Sequence, residues 1–156
     1  MIHYLADCKV KVPESTNIWQ YTVILDGVEI GENCNINAHC LIEGGVKIGN
    51  DVTLKSGVYL WDGVIVEDEV FIGPNATFCN DRYPRSKKQV PHKPLRICRG
   101  ASIGAGAVVL DGLTIGEYAM IGAGSVVTHD VPAGELWVGN PAKYVRKLNK
   151  RKDNIE

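Results

Sequence analysis

A six-residue period constrains this chain more than any other feature. Stepping by six from Val12 gives Ile18, Ile24, Ile30, Ile36, Ile42, Ile48, Leu54, Leu60, Val66, Ile72 and Phe78, all large and apolar. The rhythm resumes at Ile97 and runs through Ile103, Val109, Ile115, Ile121 and Val127. Two residues before most of these stands a second, usually smaller residue: Val28, Cys34, Cys40, Val46, Val52, Val58, Val64, Val70, Ala76, Ala101, Ala107, Ala119 and Ser125. A separation of two is strand spacing, and nothing recurs at three or four as a helix requires. Gly, Asn and Asp fill the intervals, which is turn chemistry. Each unit is therefore a short strand and a corner, and three units close one triangular coil of a solenoid. At about 4.8 Å per coil, about six coils make a prism about 30 Å long. The reading is all-β: a parallel solenoid over residues 12–130 within a single domain, 1–156.

Residues eighteen apart lie above one another on such a prism. Its faces are A (Ile18, Ile36, Leu54, Ile72), B (Ile24, Ile42, Leu60, Phe78) and C (Ile30, Ile48, Val66). The corner after face B carries Asp26-Gly27, Gly44-Gly45, Asp62-Gly63 and Asp111-Gly112, turn dipeptides in which glycine tolerates positive φ. In that column Asn80-Asp81 replaces the pair, and there the period breaks. The predicted excursion spans Asp81 to Arg96. A loop of this length inside a compact domain is usually functional. It holds Arg82, Arg85, Lys87, Lys88, Lys93 and Arg96 against one acid, Asp81. Either these cations are a solvated surface, or the loop is an anion-binding arm of the kind that meets phosphate.

The bulk numbers exclude several classes. Net charge is −1 over 156 residues, so no global field points to nucleic acid or a membrane surface. No apolar run approaches the roughly 18–20 residues that span a bilayer, and the first residues lack an apolar signal core. A cytoplasmic location is expected. The five cysteines, Cys8, Cys34, Cys40, Cys79 and Cys98, show no C-x-x-C spacing. Reduced thiols are expected, with neither a disulfide framework nor a zinc site.

Past Val127, Pro141 can open a helix, and Tyr144, Val145 and Leu148 follow at helical spacing. The segment 131–156 is read as a cap with a short C-terminal helix over the open end of the solenoid. Its cations, Lys143, Arg146, Lys147, Lys150, Arg151 and Lys152, are a second candidate phosphate contact.

The coil signature, the arm after one coil and the terminal VPAGELWVGNPAK resemble the hexapeptide-repeat acetyltransferases that use acetyl-CoA. More narrowly, IWQYTVI, LKSGVYLWDGVIVEDEVFIGPNATFCNDRYPRSK and IGEYAMIGAGSVVTHDVP resemble N-acetyltransferases of nucleotide-linked amino sugars, above all the thymidine-diphosphate 3-amino-3,6-dideoxyhexose type of cell-surface glycan synthesis. The resemblance implies a left-handed parallel β-helix, a homotrimer, and acetyl-CoA as co-substrate without a metal. It implies a site between subunits beside the arm. Asn80 then sits where such enzymes hold an essential Asn, and His39, the one histidine within the coils, stands where they hold a His or an Asn. Tyr59, Trp61, Asp62, Asp81, Arg82 and Arg85 fall on the acceptor side. Trp61 and Tyr59 have packing as their alternative, and Asp62 and Asn80 have turn formation. Gly104, Gly122, Thr128, His129, Lys143 and Arg146 match the coenzyme side; the glycines are equally explained by tight turns, and His129 replaces a commoner Lys. Sugar and xenobiotic O-acetyltransferases carry a catalytic His before a proline in the arm. Here that position is Tyr83, before Pro84, which favours an amine over a hydroxyl acceptor, because only the latter needs a strong base near neutral pH.

Three other classes compete. A γ-type carbonic anhydrase needs three histidines on zinc, whereas His3, His39, His92 and His129 are scattered. A non-catalytic solenoid module explains the repeat but not the arm or GNPAK. An O-acetyltransferase for a small acceptor explains both, but not Tyr83.

Overall fold

The computed structural model describes residues 1–88, 91 and 93–149. Strands of two or three residues stack into three parallel sheets along one prism. Sheet A contains Asn17–Ile18, Asn35–Ile36, Thr53–Leu54, Phe71–Ile72, Ser102–Ile103 and Met120–Ile121. Sheet B contains Asp7–Cys8, Val23–Ile24, Leu41–Ile42, Tyr59–Leu60, Thr77–Phe78, Val108–Val109 and Val126–Val127, so the solenoid has seven levels. Sheet C contains Glu29–Ile30, Lys47–Ile48, Val64–Val66, Leu95–Ile97 and Thr114–Ile115. Ile18 pairs with Ile36, Ile24 with Ile42 and Ile30 with Ile48, the register of eighteen read from the period. This is the parallel β-helix that the sequence predicts.

The core is the two inward columns of each face. Ile18, Ile24, Ile36, Ile42, Leu54, Leu60 and Ile72 are fully buried, and each such side chain stabilises by about 1.5–3 kcal/mol relative to exposure. In the lowest coils threonine fills the smaller inward position. Thr16 and Thr22 are buried and donate their hydroxyls to the Gly31 and Asn37 carbonyls, both at 2.8 Å, so no polar group is stranded. Corners on other edges use non-glycine residues at positive φ, among them Tyr21, His39, Asn75 and Tyr118.

Three boundaries differ from expectation. The solenoid begins lower, since Asp7–Cys8 already pairs with Val23–Ile24. The arm returns at Leu95 rather than Ile97: Leu95 is buried and pairs with Val64, filling the inward position two residues before Ile97. The predicted C-terminal helix is absent from the described residues. Glu135–Gly139 instead extends sheet A above Met120–Ile121, and Ala142–Lys147 folds back on it as an antiparallel strand. A strand laid on the top coil leaves an edge of unpaired backbone groups, and a hairpin satisfies them where a helix would not. The apolar stripe that suggested a helix is not buried: Tyr144 and Val145 are half-exposed. Residues 150–152 of that basic cluster lie outside the described residues. No helix among the described residues is long and apolar enough to cross a membrane.

Candidate active site

The corner between faces B and C gathers most of the predicted acceptor residues. Phe78 pairs with Val109, and Val109 with Val127. Asp62, Asn80, Asp111 and His129 therefore form one vertical column, two residues beyond the inward position of successive coils. Asp62 is exposed, and its backbone N–H donates to Glu43 Oε2 at 3.1 Å. Asn80 is half-buried. Its side-chain amide makes no hydrogen bond with any described residue, which leaves two donors and an acceptor for a ligand.

The ladder beneath Asn80 is altered by an aromatic residue. In neighbouring coils the residue after the inward position donates its backbone N–H upward: Glu43 to Leu60 O and Cys79 to Val109 O, both at 2.9 Å. At Trp61 the corresponding acceptor, Phe78 O, is taken by the indole Nε1 at 2.6 Å. The Trp61 ring lies edge-on to Tyr59, with centroids 6.3 Å apart. The two rings, with Gly57, Asn75, Ala76, Thr77 and Phe78, line a shallow groove of about 230 Å³ across face B. Trp61 thus packs and holds the end of the strand that leads to Asn80, while Tyr59, half-exposed, offers a ring face.

The arm leaves and returns at this same corner. Asp81 Oδ1 accepts from the Tyr83 N–H at 2.8 Å and starts the outgoing limb with a side-chain-closed turn. Arg82 Nε reaches Asp111 Oδ1 at 3.2 Å, and its Nη2 donates to the Asp111 carbonyl at 3.3 Å. Arg96 pairs with Glu67 at 2.5 Å on face C. Two of the six arm cations are therefore spent on acids of the coils. Arg85, Lys87, Lys88 and Lys93 have no ion-pair partner among the described residues. Arg85, Lys87 and Lys88 sit at the exposed tip, where Lys88 N donates to Arg85 O. Tyr83 is largely exposed beside them.

Cys79, next to Asn80, is the one thiol at this corner. Burial, and secondarily the charge of Asp111, push it up from its ordinary pKa. It stays a protonated thiol at neutral pH and is a poor nucleophile.

The remaining predicted residues lie elsewhere. His39 occupies the corner between faces A and B, exposed and stacked on Tyr21 with centroids 5.1 Å apart. It stands one coil below Gly57, whose N–H bonds Ala38 O, at the other edge of face B from Asn80. Within one chain the two residues do not meet. Thr128 and His129 share a hydrogen bond at 2.9 Å, at the top of the Asn80 column. Gly104 and Gly122 stack on face A, and each faces the coil above. A Cβ at Gly104 would lie 2.4 Å from Ala123 N, and one at Gly122 would lie 2.5 Å from Val138 Cγ1. Close coil packing alone therefore favours glycine at 104, where the neighbours are backbone atoms, whereas at 122 the Val138 side chain would have to shift. Val138, which lies against Gly122, is the cross-strand partner of Lys143 in the terminal hairpin, with Arg146 further along it.

Sequence reasoning treated Asp111 as a turn residue and passed over Asn75 and Thr77. Asp111 carried a signal, since it shares the Asn80 column. Asn75 and Thr77 carried none, because their groove exists only once coils stack.

Among the described residues no three His, Cys, Asp or Glu side chains converge as metal ligands would. Fold and site together define a parallel β-solenoid with a cation-bearing arm that leaves the coils next to a half-buried amide. The chain belongs to the bacterial transferase hexapeptide family, whose six-repeat pattern matches residues 9–44, 45–80 and 94–129. It is 54% identical over 45 residues to the dTDP-3-amino-3,6-dideoxy-alpha-D-galactopyranose 3-N-acetyltransferase of Aneurinibacillus thermoaerophilus, covering 29% of this chain and 23% of that one. It is 30% identical over 93 residues to the galactoside O-acetyltransferase of Escherichia coli, covering 56% and 46%. A perosamine N-acetyltransferase from Caulobacter crescentus, solved with CoA and GDP-perosamine, superposes with a TM-score of 0.70 at 25% identity, over 81% of this chain and 54% of that one. The chain spans less than half the length of the curated relatives it matches.

Proposed function

We propose that the protein is an acetyl-CoA-dependent N-acetyltransferase, acting on the 3-amino group of a nucleoside-diphosphate-linked deoxysugar such as dTDP-3-amino-3,6-dideoxyhexose. The observation that carries this is the B–C corner, where the unengaged Asn80 amide lies beside an arm whose cations Arg85, Lys87 and Lys88 have no acid partner among the described residues. Those cations suit a diphosphate, and the half-exposed Tyr59 ring suits a base or sugar face. Family membership and the relatives above supply the acetyl donor.

In this reading the neutral sugar amine attacks the thioester carbonyl carbon and forms the C–N bond. The tetrahedral intermediate then collapses, the C–S bond breaks, and coenzyme A leaves as the thiolate. The proton lost from the nitrogen goes to water or to His39, and the thiolate takes up a proton on release. Asn80 orients the amine or hydrogen-bonds the thioester oxygen. A thiol as reluctant to ionise as Cys79 argues against an acetyl-cysteine intermediate. His39 reaches the site from a neighbouring chain, in a homotrimer whose subunits meet along face B. The apolar outward residues of that face, Val23, Leu41, Val108 and Val126, are half-buried already and suit such a contact.

The match to a galactoside O-acetyltransferase favours a second reading, acetylation of a hydroxyl; Tyr83 in place of the arm histidine weighs against it. A panel of nucleotide-linked 3-amino and 4-amino sugars, free amino sugars and galactosides, each assayed with acetyl-CoA, decides between them. Transfer to galactosides alone would overturn the amine reading, and no coenzyme A binding would leave a solenoid module without acetyl transfer.

A further inference from the structure

We propose that Asp111 is a positioning residue: from its buried corner it holds the outgoing limb of the arm through Arg82, beside the point where the returning limb packs on Gly112, and so sets the place of the acceptor. The acceptor clause rests on the acetyl-transfer reading; the anchoring clause does not.

Asp111 lies one coil above Asn80 and is 8% exposed, the one buried carboxylate among the described residues. Turn chemistry does not account for that burial. Asp26 and Asp62 open the same D-G corner in lower coils and are exposed. What differs at Asp111 is the arm lying on it. A carboxylate taken out of water is costly unless paired and hydrogen-bonded, and here the pairing comes from the outgoing limb. Arg82 grips the side chain through Nε and the main-chain carbonyl through Nη2. The returning limb rests on the adjacent residue. At Gly112, with φ +67°, a Cβ would lie 2.8 Å from Lys93 Cβ and 3.1 Å from Lys93 Cδ, so the Lys93 stem runs across the bare glycine. Both limbs thus converge on one corner dipeptide. Arg85, Lys87 and Lys88 follow Arg82 on the outgoing limb and are exposed, so their place is set from this base.

The variants are Asp111→Asn, Arg82→Gln and the double change, with Arg82→Lys as the conservative control. Tryptic cleavage of the folded protein after Arg85, Lys87 or Lys88, followed by mass spectrometry, reads the anchoring without any substrate. Cleavage in Asp111→Asn is expected to be at least about tenfold faster than in the parent. With acceptor, KM should rise about tenfold while KM for acetyl-CoA stays within about twofold, and the double variant should be no worse than the worse single. Arg82→Lys should recover part of the loss. If Asp111→Asn does not fold, Arg82→Gln breaks the same pair from its exposed side and carries the same expectations. Unchanged cleavage would overturn the proposal. So would additive losses, or an equal rise in both KM values. Accelerated cleavage in a protein that acetylates no acceptor would support the anchor while ending the acetyl-transfer reading.

Discussion

Gly104→Ala asks whether the face A glycines admit a ligand or merely let coils close. Gly104 does not need positive φ, so the change imposes no conformational penalty and acts through space alone. The new methyl would stand 2.4 Å from Ala123 N and 2.7 Å from both Gly122 C and Ile121 O, all backbone atoms of the coil above. Ordinary contact begins at 3.4 Å, so the two coils must part by roughly 1 Å in an interior packed like a crystal. Overpacking of that kind costs about 1–3 kcal/mol. At about 2–4 °C per kcal/mol for a chain of this size, Tm should fall by about 2–12 °C. Gly106→Ala is the control. There φ is +64° with nothing within 4 Å, so the penalty is conformational, about 1 kcal/mol, and Tm should fall by about 2–4 °C. Scanning calorimetry gives both values, and coenzyme A titration on the same samples gives affinity. A Gly104→Ala protein as stable as the parent but weaker for coenzyme A would refute the packing argument and make the glycine a ligand contact.

Asn80→Ala should lower kcat/KM at least about tenfold, or about 1.4 kcal/mol, with Tm little changed because the amide has no partner to lose; full activity would remove Asn80 from the site. Arg85→Ala should weaken nucleotide-sugar binding by about 1.5–3 kcal/mol, the range for a hydrogen bond to a charged group, as measured by calorimetric titration. Equal acetylation of the free amino sugar would show that the arm does not read a diphosphate. Cys40 predicts an alkaline limit to stability. Burial pushes its thiol from the ordinary 9.0 up to about 11. Both states keep the proton below pH 9, and above it the unfolded chain ionises first. About 2–3 kcal/mol should therefore be lost between pH 9 and 11, and denaturation curves of Cys40→Ala should lack that part of the decline.

The sequence alone determined the architecture, because a solenoid's contacts repeat at a fixed offset. Each inward residue meets its counterpart eighteen positions away, so period, register, faces and the B–C exit at Asn80 were all legible. The arm was legible too, as the stretch where the period stops. What sequence could not decide was which polar groups the arm leaves unpaired. Arg82 and Arg96 looked equivalent to Arg85 until Asp111 and Glu67, 29 residues away from each, were seen to hold them. The terminal strand was likewise decided by tertiary structure. Tyr144, Val145 and Leu148 fit a helical stripe, but the open edge left by Glu135–Gly139 needed a hydrogen-bonding partner, and local pattern does not encode that demand. The roles of Trp61 and Gly104 follow the same rule. Each is set by the coil above it, through the Phe78 carbonyl in one case and the Ala123 amide in the other. Periodic burial is a property of the chain, whereas the pairing of a single donor, charge or gap depends on a neighbour that only folding supplies.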